Sequence, residues 1–220
     1  MKRLCVTLLS ALLAVYGGPA AAADGLYLDF GAGWSSPSDI KWHDSSASPT
    51  RGTIALKSGG AVDAEVGYRL SDGLRMGLEF VNAIYRVSTV SVNGTPYSAN
   101  GQVTQSGMMG NVAYDIYSIN RVNFTVGAGL GGGNVSPNFT DTQGSTKTKI
   151  SQTNTAIAWQ ALLGINWAAS DILNVQVDYR YRSTGNTRHT LDLVPACCAT
   201  PISFDTMKTQ TVRLGIRWNL

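Results

Sequence analysis

Trp42-His43-Asp44-Ser45 is the one run of this 220-residue chain that gathers the residue types of nucleophilic catalysis. An imidazole between a carboxylate and a hydroxyl can relay a proton, but only when the three converge in space. Consecutive side chains rarely do, so the run reads as an ordinary polar segment and the chain as a non-enzyme. His189 lies beyond Arg182 in a polar stretch, where a solvated imidazole is expected. Gly127, Gly129, Gly131, Gly132 and Gly133 have the composition of a phosphate-cradling loop. Such a loop follows a strand and opens a helix; these glycines sit in or at the end of a strand pattern with no helix after them. Cys197 and Cys198 are adjacent and cannot staple distant parts of a fold, so they read as a vicinal disulfide or as two loop thiols. Cys5 belongs to the N-terminal leader, and both histidines lie in other contexts. No metal site and no cofactor is therefore expected. Asn93-Gly94-Thr95, Asn123-Phe124-Thr125 and Asn138-Phe139-Thr140 match a glycosylation pattern, which we read as coincidence.

The more informative constellation is ionic. Asp29, Asp63, Glu65, Glu79, Asp115 and Asp178 all fall on the polar side of alternating segments, and so do Arg69, Arg75, Arg180, Arg182, Arg213 and Arg217. Six acids against six arginines make a balanced set. Charges gathered on one face of a closed sheet must be paired or wetted, because isolated burial is prohibitive. A small barrel has an interior just wide enough for side chains to fill. The set therefore reads as a structural plug first and a gated pore second. Threading places Asp29, Glu65, Glu79 and Asp178 near mid-height, with Arg213 on the strand that must pair with the first. Arg213 is expected to be the central counter-ion, contacting Asp29 or Glu79.

The elements that position these charges follow from period-two alternation, since successive strand side chains point to opposite faces. Val212, Leu214, Ile216, Trp218 and Leu220 share one face; Thr211, Arg213, Gly215, Arg217 and Asn219 share the other. Seven further segments read the same way, near residues 26–34, 62–70, 74–80, 108–116, 122–131, 159–167 and 173–182. No apolar face carries a charge, and the polar faces hold Gly, Asn, Gln, Asp, Glu and Arg in place of the Lys, Thr and Ser of a water-facing sheet. A lipid environment demands this, because a charge at the bilayer midplane costs a barrel about 2–4 kcal/mol. The expected fold is all-β: an eight-stranded antiparallel up-and-down transmembrane barrel. A soluble barrel with its oily face turned inward around a ligand is the structural alternative.

Connections alternate in length. Ser71-Asp72-Gly73, residues 117–120 and residues 168–171 are short. The stretches 35–60, 87–104, 134–155 and 183–206 are long and polar, and are expected as loops. Short periplasmic turns and long extracellular loops are the outer-membrane arrangement. With the first strand running outward, Trp34, Phe80, Trp159, Tyr179 and Tyr181 fall towards the outer interface. Tyr68, Tyr114, Trp167 and Trp218 fall towards the inner one, giving two aromatic girdles.

The start of the chain is an export signal. Lys2 and Arg3 precede an apolar run from Leu4 to Tyr16, and Ala21, Ala22 and Ala23 supply small residues at a cleavage site. The run is shorter than the roughly 20 apolar residues of a spanning helix. Residues 1–23 are expected to be removed, leaving 24–220 as one barrel domain. Removal takes two positive charges and lowers the formal charge from +3 to +1, so no nucleic-acid footprint is present.

Val126-Gly127-Ala128-Gly129-Leu130-Gly131, then Ala158-Trp159-Gln160-Ala161 with Gly164, then Asp178-Tyr179-Arg180-Tyr181, resembles the opacity-protein and surface-antigen (OmpA-like) superfamily of small outer-membrane barrels. The resemblance spans essentially the mature chain and implies surface antigens, adhesins or envelope-stabilising barrels, some porin-like. Arg213, Gly215, Trp218 and Leu220 in the last strand look like the terminal signal read by the barrel-assembly machinery. The departure is Leu220, where an aromatic residue is commonest. The function expected is a structural or surface-interaction barrel; a narrow channel for ions or small solutes comes second, and a lipid A-modifying enzyme third. The partners expected are outer-membrane lipid and lipopolysaccharide, with Lys147 and Lys149 as possible contacts, then periplasmic chaperones and the assembly machinery, and a host or environmental surface ligand.

Overall fold

Alternating segments whose two faces differ this sharply can satisfy their backbone groups in lipid only by closing into a ring. The computed structural model describes residues 25–44, 50–70, 73–143, 146–151, 154–194 and 199–220. Residues 1–23, expected to be an export signal, lie outside the described residues, as do Ser45, Ser46, Asp72, Gly144, Cys197 and Cys198 and the side chains of Lys147 and Lys149.

The described residues form twelve strands: β1 (Gly25–Pro37), β2 (Ile40–Asp44), β3 (Arg51–Arg69), β4 (Leu74–Val92), β5 (Thr95–Ile119), β6 (Val122–Gln143), β7 (Thr146–Ser151), β8 (Asn154–Ala168), β9 (Leu173–Thr184), β10 (Thr187–Val194), β11 (Ala199–Phe204) and β12 (Met207–Asn219). All pairings are antiparallel. In the membrane half the order is β1-β12-β9-β8-β6-β5-β4-β3, and β1 also pairs with β3, which closes an eight-stranded ring. Gly31, for example, sits opposite Gly215 on one side and Asp63 on the other.

The other four strands correct the expectation of long loops. β2, β11, β10 and β7 pair in succession between β3 and β6. β2, β11 and β10 continue β1, β12 and β9 past short breaks, and β7 lies just before β8 in the chain, so the same eight-membered wall rises past the membrane. β5 has 25 residues and β6 has 22, whereas about 9–11 suffice to cross a bilayer. The stretches 35–60, 87–104, 134–155 and 183–206 are mostly paired strand. Asn93 and Gly94, both with positive φ, form a two-residue turn between Val92 and Thr95, the geometry that favours Asn-Gly. On the periplasmic side β5 runs to Ile119, so that turn contracts to Asn120 and Arg121.

The extension inverts the polarity of the wall. Along β12 the outward residues Trp218, Ile216, Leu214 and Val212 give way to Gln210 and Lys208, while the inward series Arg217, Arg213 and Thr209 ends on Met207. Water replaces lipid outside, so the apolar side chains move inside. Ile40, Trp42, Ile54, Tyr85, Val87, Val103, Val135, Phe139, Ile202, Phe204 and Met207 form one buried cluster. The strand breaks allow this exchange. Even-numbered residues of β1 face out, but Ile40 and Trp42 of β2 face in, so the parity flips across residues 38–39.

Candidate lumen site and the family it defines

Below the apolar cluster the lumen holds the expected charges. Arg213 is 1% exposed, and Asp29, Glu79, Asp178, Arg69, Arg75, Arg180, Arg182 and Arg217 are all buried. Outside, Trp34 remains 65% and Leu214 60% exposed without lipid. The interior is therefore ionic and the surface oily, the reverse of a water-soluble protein.

Three strands meet at Arg213. Its Nε donates to Asp63 at 2.7 and 2.8 Å, its Nη1 donates to Asp178 at 2.8 Å, and its Nη2 pairs with Asp29. The guanidinium lies across Gly31 and Gly215, where any Cβ would overlap it. Glycine at these two positions is thus a requirement of close approach. Of the two expected partners, Arg213 meets Asp29. Glu79 is held elsewhere, by Arg180 at 2.8 Å and Arg182 at 3.1 Å. Arg180 also reaches Asp178 at 3.4 Å and Asp63 at 3.8 Å.

The network continues in both directions. Glu79 accepts from Asn111 and Gln160 at 2.6 and 2.7 Å, and Arg182 donates to Gln160 at 2.7 Å. Glu65 accepts from the Tyr27 hydroxyl at 2.5 Å and from Asn111 at 2.6 Å. Both of these donors are neutral, whereas each of the other five acids meets an arginine. Arg217 pairs with Asp29 at 3.2 Å and stacks 5.2 Å from the centroid of the Tyr27 ring. Towards the periplasm, Asp115 is held by Arg69 and Arg75, each at 3.2 Å. Above the ions a neutral layer follows: Tyr85 with Ser35 at 2.8 Å, Thr211 with Ser35 at 2.8 Å, and Gln105 with Thr184 at 2.9 Å. Sequence reasoning missed this layer, whose members apart from Thr211 lie in segments read as loop or at their edges.

Little open space remains. A lumen cavity bordered by Tyr27, Glu65, Asn111, Arg180 and Arg217 measures about 20 Å³, room for about one water. Larger hollows lie at the two ends. A periplasmic vestibule of about 510 Å³ is lined by Arg69, Asn120, Asn123, Asp171 and Asn219. An outer cleft of about 770 Å³ is lined by Lys41, His43, Arg51, Asn93 and Asp205.

The aromatic residues stand as follows. Trp34, Phe80, Trp159 and Tyr179 are exposed on the outward face, and Tyr181 is half-buried against Trp159 with ring centroids 5.5 Å apart. Tyr68, Tyr114, Trp167 and Trp218 are also exposed and outward. Trp218 sits opposite Leu28, and Leu220 donates its amide to the Leu26 carbonyl, so the C-terminal residues close the last seam.

Of the candidate catalytic run, Ser45 lies outside the described residues. His43 and Asp44 occupy successive strand positions on opposite faces. His43 lies 3.8 Å from Asp205, and Asp44 accepts from the Thr50 amide at 3.1 Å. His189 is a correction. It is 2% exposed, packs on Phe204 with centroids 4.3 Å apart, and hydrogen-bonds Thr187 at 2.8 Å. The polar stretch around it is an inward-facing strand of the extension. The glycines at 127–133 lie within β6, and no helix follows them.

A closed eight-stranded wall, oily outside and ionically paired inside, defines an integral outer-membrane β-barrel. The chain belongs to the outer membrane protein beta-barrel domain family, whose profile matches residues 5–219, and it resides in the outer membrane of a Gram-negative bacterium. Solved structures share the architecture. Neisserial surface protein A aligns at 16% identity over 89% of this chain and 97% of its own, with a TM-score of 0.53. OprG from Pseudomonas aeruginosa aligns at 12% identity over 91% and 100%, with a TM-score of 0.56. The outer membrane protease OmpT from Escherichia coli aligns at 8% identity over 94% and 99%, with a TM-score of 0.53. At these identities the likeness is one of fold, and the fold is shared by an enzyme and a surface protein alike. A comparison with curated protein sequences returned no match.

Proposed function

We propose that this protein is a sealed barrel with a structural and surface-interaction role, whose wall anchors in the outer membrane and carries four extended hairpins outward. The observation that supports this reading is the filled lumen. Paired Arg–carboxylate ladders, a neutral hydrogen-bonded layer and an apolar cluster follow one another along the axis. A narrow channel, the competing class, needs a continuous wet path, and three different kinds of packing stand in its way. A lipid-modifying enzyme built on the Trp42–Ser45 run would need Asp44 to orient the His43 imidazole, and the two side chains leave opposite faces of β2.

The test is genetic. A deletion strain is complemented with the full chain or with a chain whose hairpin tips, Ser91 to Gly94 among them, are replaced by minimal turns. Full-length protein restores detergent resistance and adherence; the tip-trimmed barrel restores detergent resistance alone. A deletion strain indistinguishable from its parent in both assays overturns the proposal.

A further inference from the structure

Charge on the outer wall is arranged differently from charge in the lumen. Among the described side chains beyond the apolar band there are three carboxylates. Asp39 accepts from the Leu56 amide at 3.3 Å, Asp44 from the Thr50 amide at 3.1 Å, and Asp205 lies 3.8 Å from His43. Six cations share the region: Lys41, Arg51, Lys57, Arg86, Arg188 and Lys208. Among the described residues none of the six has a carboxylate within 4.0 Å.

Two of them form a built pair. Lys57 and Arg86 are exposed and sit directly opposite each other on β3 and β4. A bulge creates the pairing. Gly60 is opposite Ile84 and Lys57 is opposite Arg86, so β3 carries one extra residue between the two rows. Below the bulge the even positions Val62 and Val66 face outward; above it Lys57 does. Bulges re-aim side chains in this way. In an unbulged register of the same sequence Ser58 would sit opposite Arg86, and Lys57, opposite Val87, would point into the apolar cluster.

Like charges directly opposite one another on a sheet repel. An anion between them reverses the sign of that interaction. The depth identifies the anion. Gly60 and Ile84, the next row inward, lie opposite and beside Trp34, and Ile84 and Trp34 are outward apolar residues. The pair follows about 7 Å further along the strands at roughly 3.3 Å per residue, where acyl chains give way to headgroups. Arginine can grip two phosphate oxygens while lysine supplies a point charge.

We infer that Lys57 and Arg86 hold one phosphate of a lipid A headgroup in the outer leaflet. The inference rests on the membrane orientation of the barrel, not on the sealed lumen, so the failure of either leaves the other standing.

The experiment is native mass spectrometry of the folded, detergent-solubilised full chain with bisphosphorylated lipid A and with its dephosphorylated form. Folding of every variant is checked by heat-modifiable mobility. Wild type retains the phosphorylated lipid about tenfold better than the dephosphorylated one. The double variant Lys57→Gln, Arg86→Gln loses that preference, Lys57→Arg keeps it, and the control Lys41→Gln, Arg51→Gln keeps it. Equal retention of both lipids by wild type overturns the inference, and that arm decides the matter even where a variant fails to fold. Equal loss in the control pair also overturns it, because the charge would then act diffusely.

Discussion

Replacing Arg213 with alanine tests the ionic plug at its centre. The side chain is 1% exposed and satisfies three carboxylates from three strands: Asp63 at 2.7 Å, Asp178 at 2.8 Å, and Asp29. Its loss does not leave them equally exposed to their own charge. Asp29 keeps Arg217 at 3.2 Å and Asp178 keeps Arg180 at 3.4 Å, whereas Asp63 keeps Arg180 only at 3.8 Å. Asp63 is therefore the acid left least compensated. Breaking one buried ion pair by removing a partner costs about 3–5 kcal/mol. Residual arginines and water entering the vacated space lower this, so the expected loss is about 3 kcal/mol. The assay is urea unfolding of protein refolded into liposomes, followed by tryptophan fluorescence and by heat-modifiable mobility. Adding Asp63→Asn to Arg213→Ala removes the stranded charge and recovers at least about 1 kcal/mol. A loss below about 1 kcal/mol for Arg213→Ala, or no recovery in the double variant, refutes the reasoning.

Three further outcomes are expected. Gly31→Leu drives a side chain into the Arg213 guanidinium and lowers the yield of heat-modifiable barrel by overpacking, whereas Gly110→Ala, on the open outward face, leaves that yield unchanged. Phe139→Ala in the outer apolar cluster costs about 3–5 kcal/mol in the same urea titration; an unchanged midpoint contradicts the capped extension. Epitope tags near Ser46, at Asn93, near Gly144 or at Ala199 are labelled on intact cells and one at Asp72 is not, while deletion of Trp218 to Leu220 lowers the amount of membrane-inserted barrel. Labelling at Asp72 in unbroken cells reverses the orientation, and undiminished insertion of the truncated chain excludes these residues as the assembly signal.

The membrane half of the fold was legible because lipid imposes one rule on every strand: no charge outward. Trp34, Val212, Leu214 and Ile216 keep that rule at fixed parity, and Arg213 and Arg217 fill the opposite parity. The outer half was hidden because the inward face turns from polar to apolar at unchanged parity along β4, β5 and β6, as at Tyr85, Val103 and Phe139, and because elsewhere the parity slips. Breaks at residues 38–39, 185–186 and 205–206 and the bulge at Lys57–Gly60 each shift the alternation by one, so apolar positions such as Ile40, Trp42 and Ile202 fall out of phase with the adjoining membrane strand. From the sequence His189 reads as solvated for the same reason: its strand begins after one of these breaks. Asn93-Gly94 carries the signature of a hairpin turn between two alternating runs, and the structure places a turn there. The individual ion pairs were not legible. That Arg213 reaches Asp63 while Glu79 goes to Arg180 and Arg182 depends on side-chain height in a tilted wall, which alternation alone does not encode.

The sealed lumen is tested most directly by the current that purified wild-type protein passes in a planar lipid bilayer. Paired charges, the neutral layer at Tyr85 and Gln105, and the apolar cluster above them predict no steady open-channel conductance, with brief, small openings in Arg213→Ala where water enters the vacated space. A steady, porin-sized conductance from the wild-type barrel contradicts the account and moves the protein into the channel class.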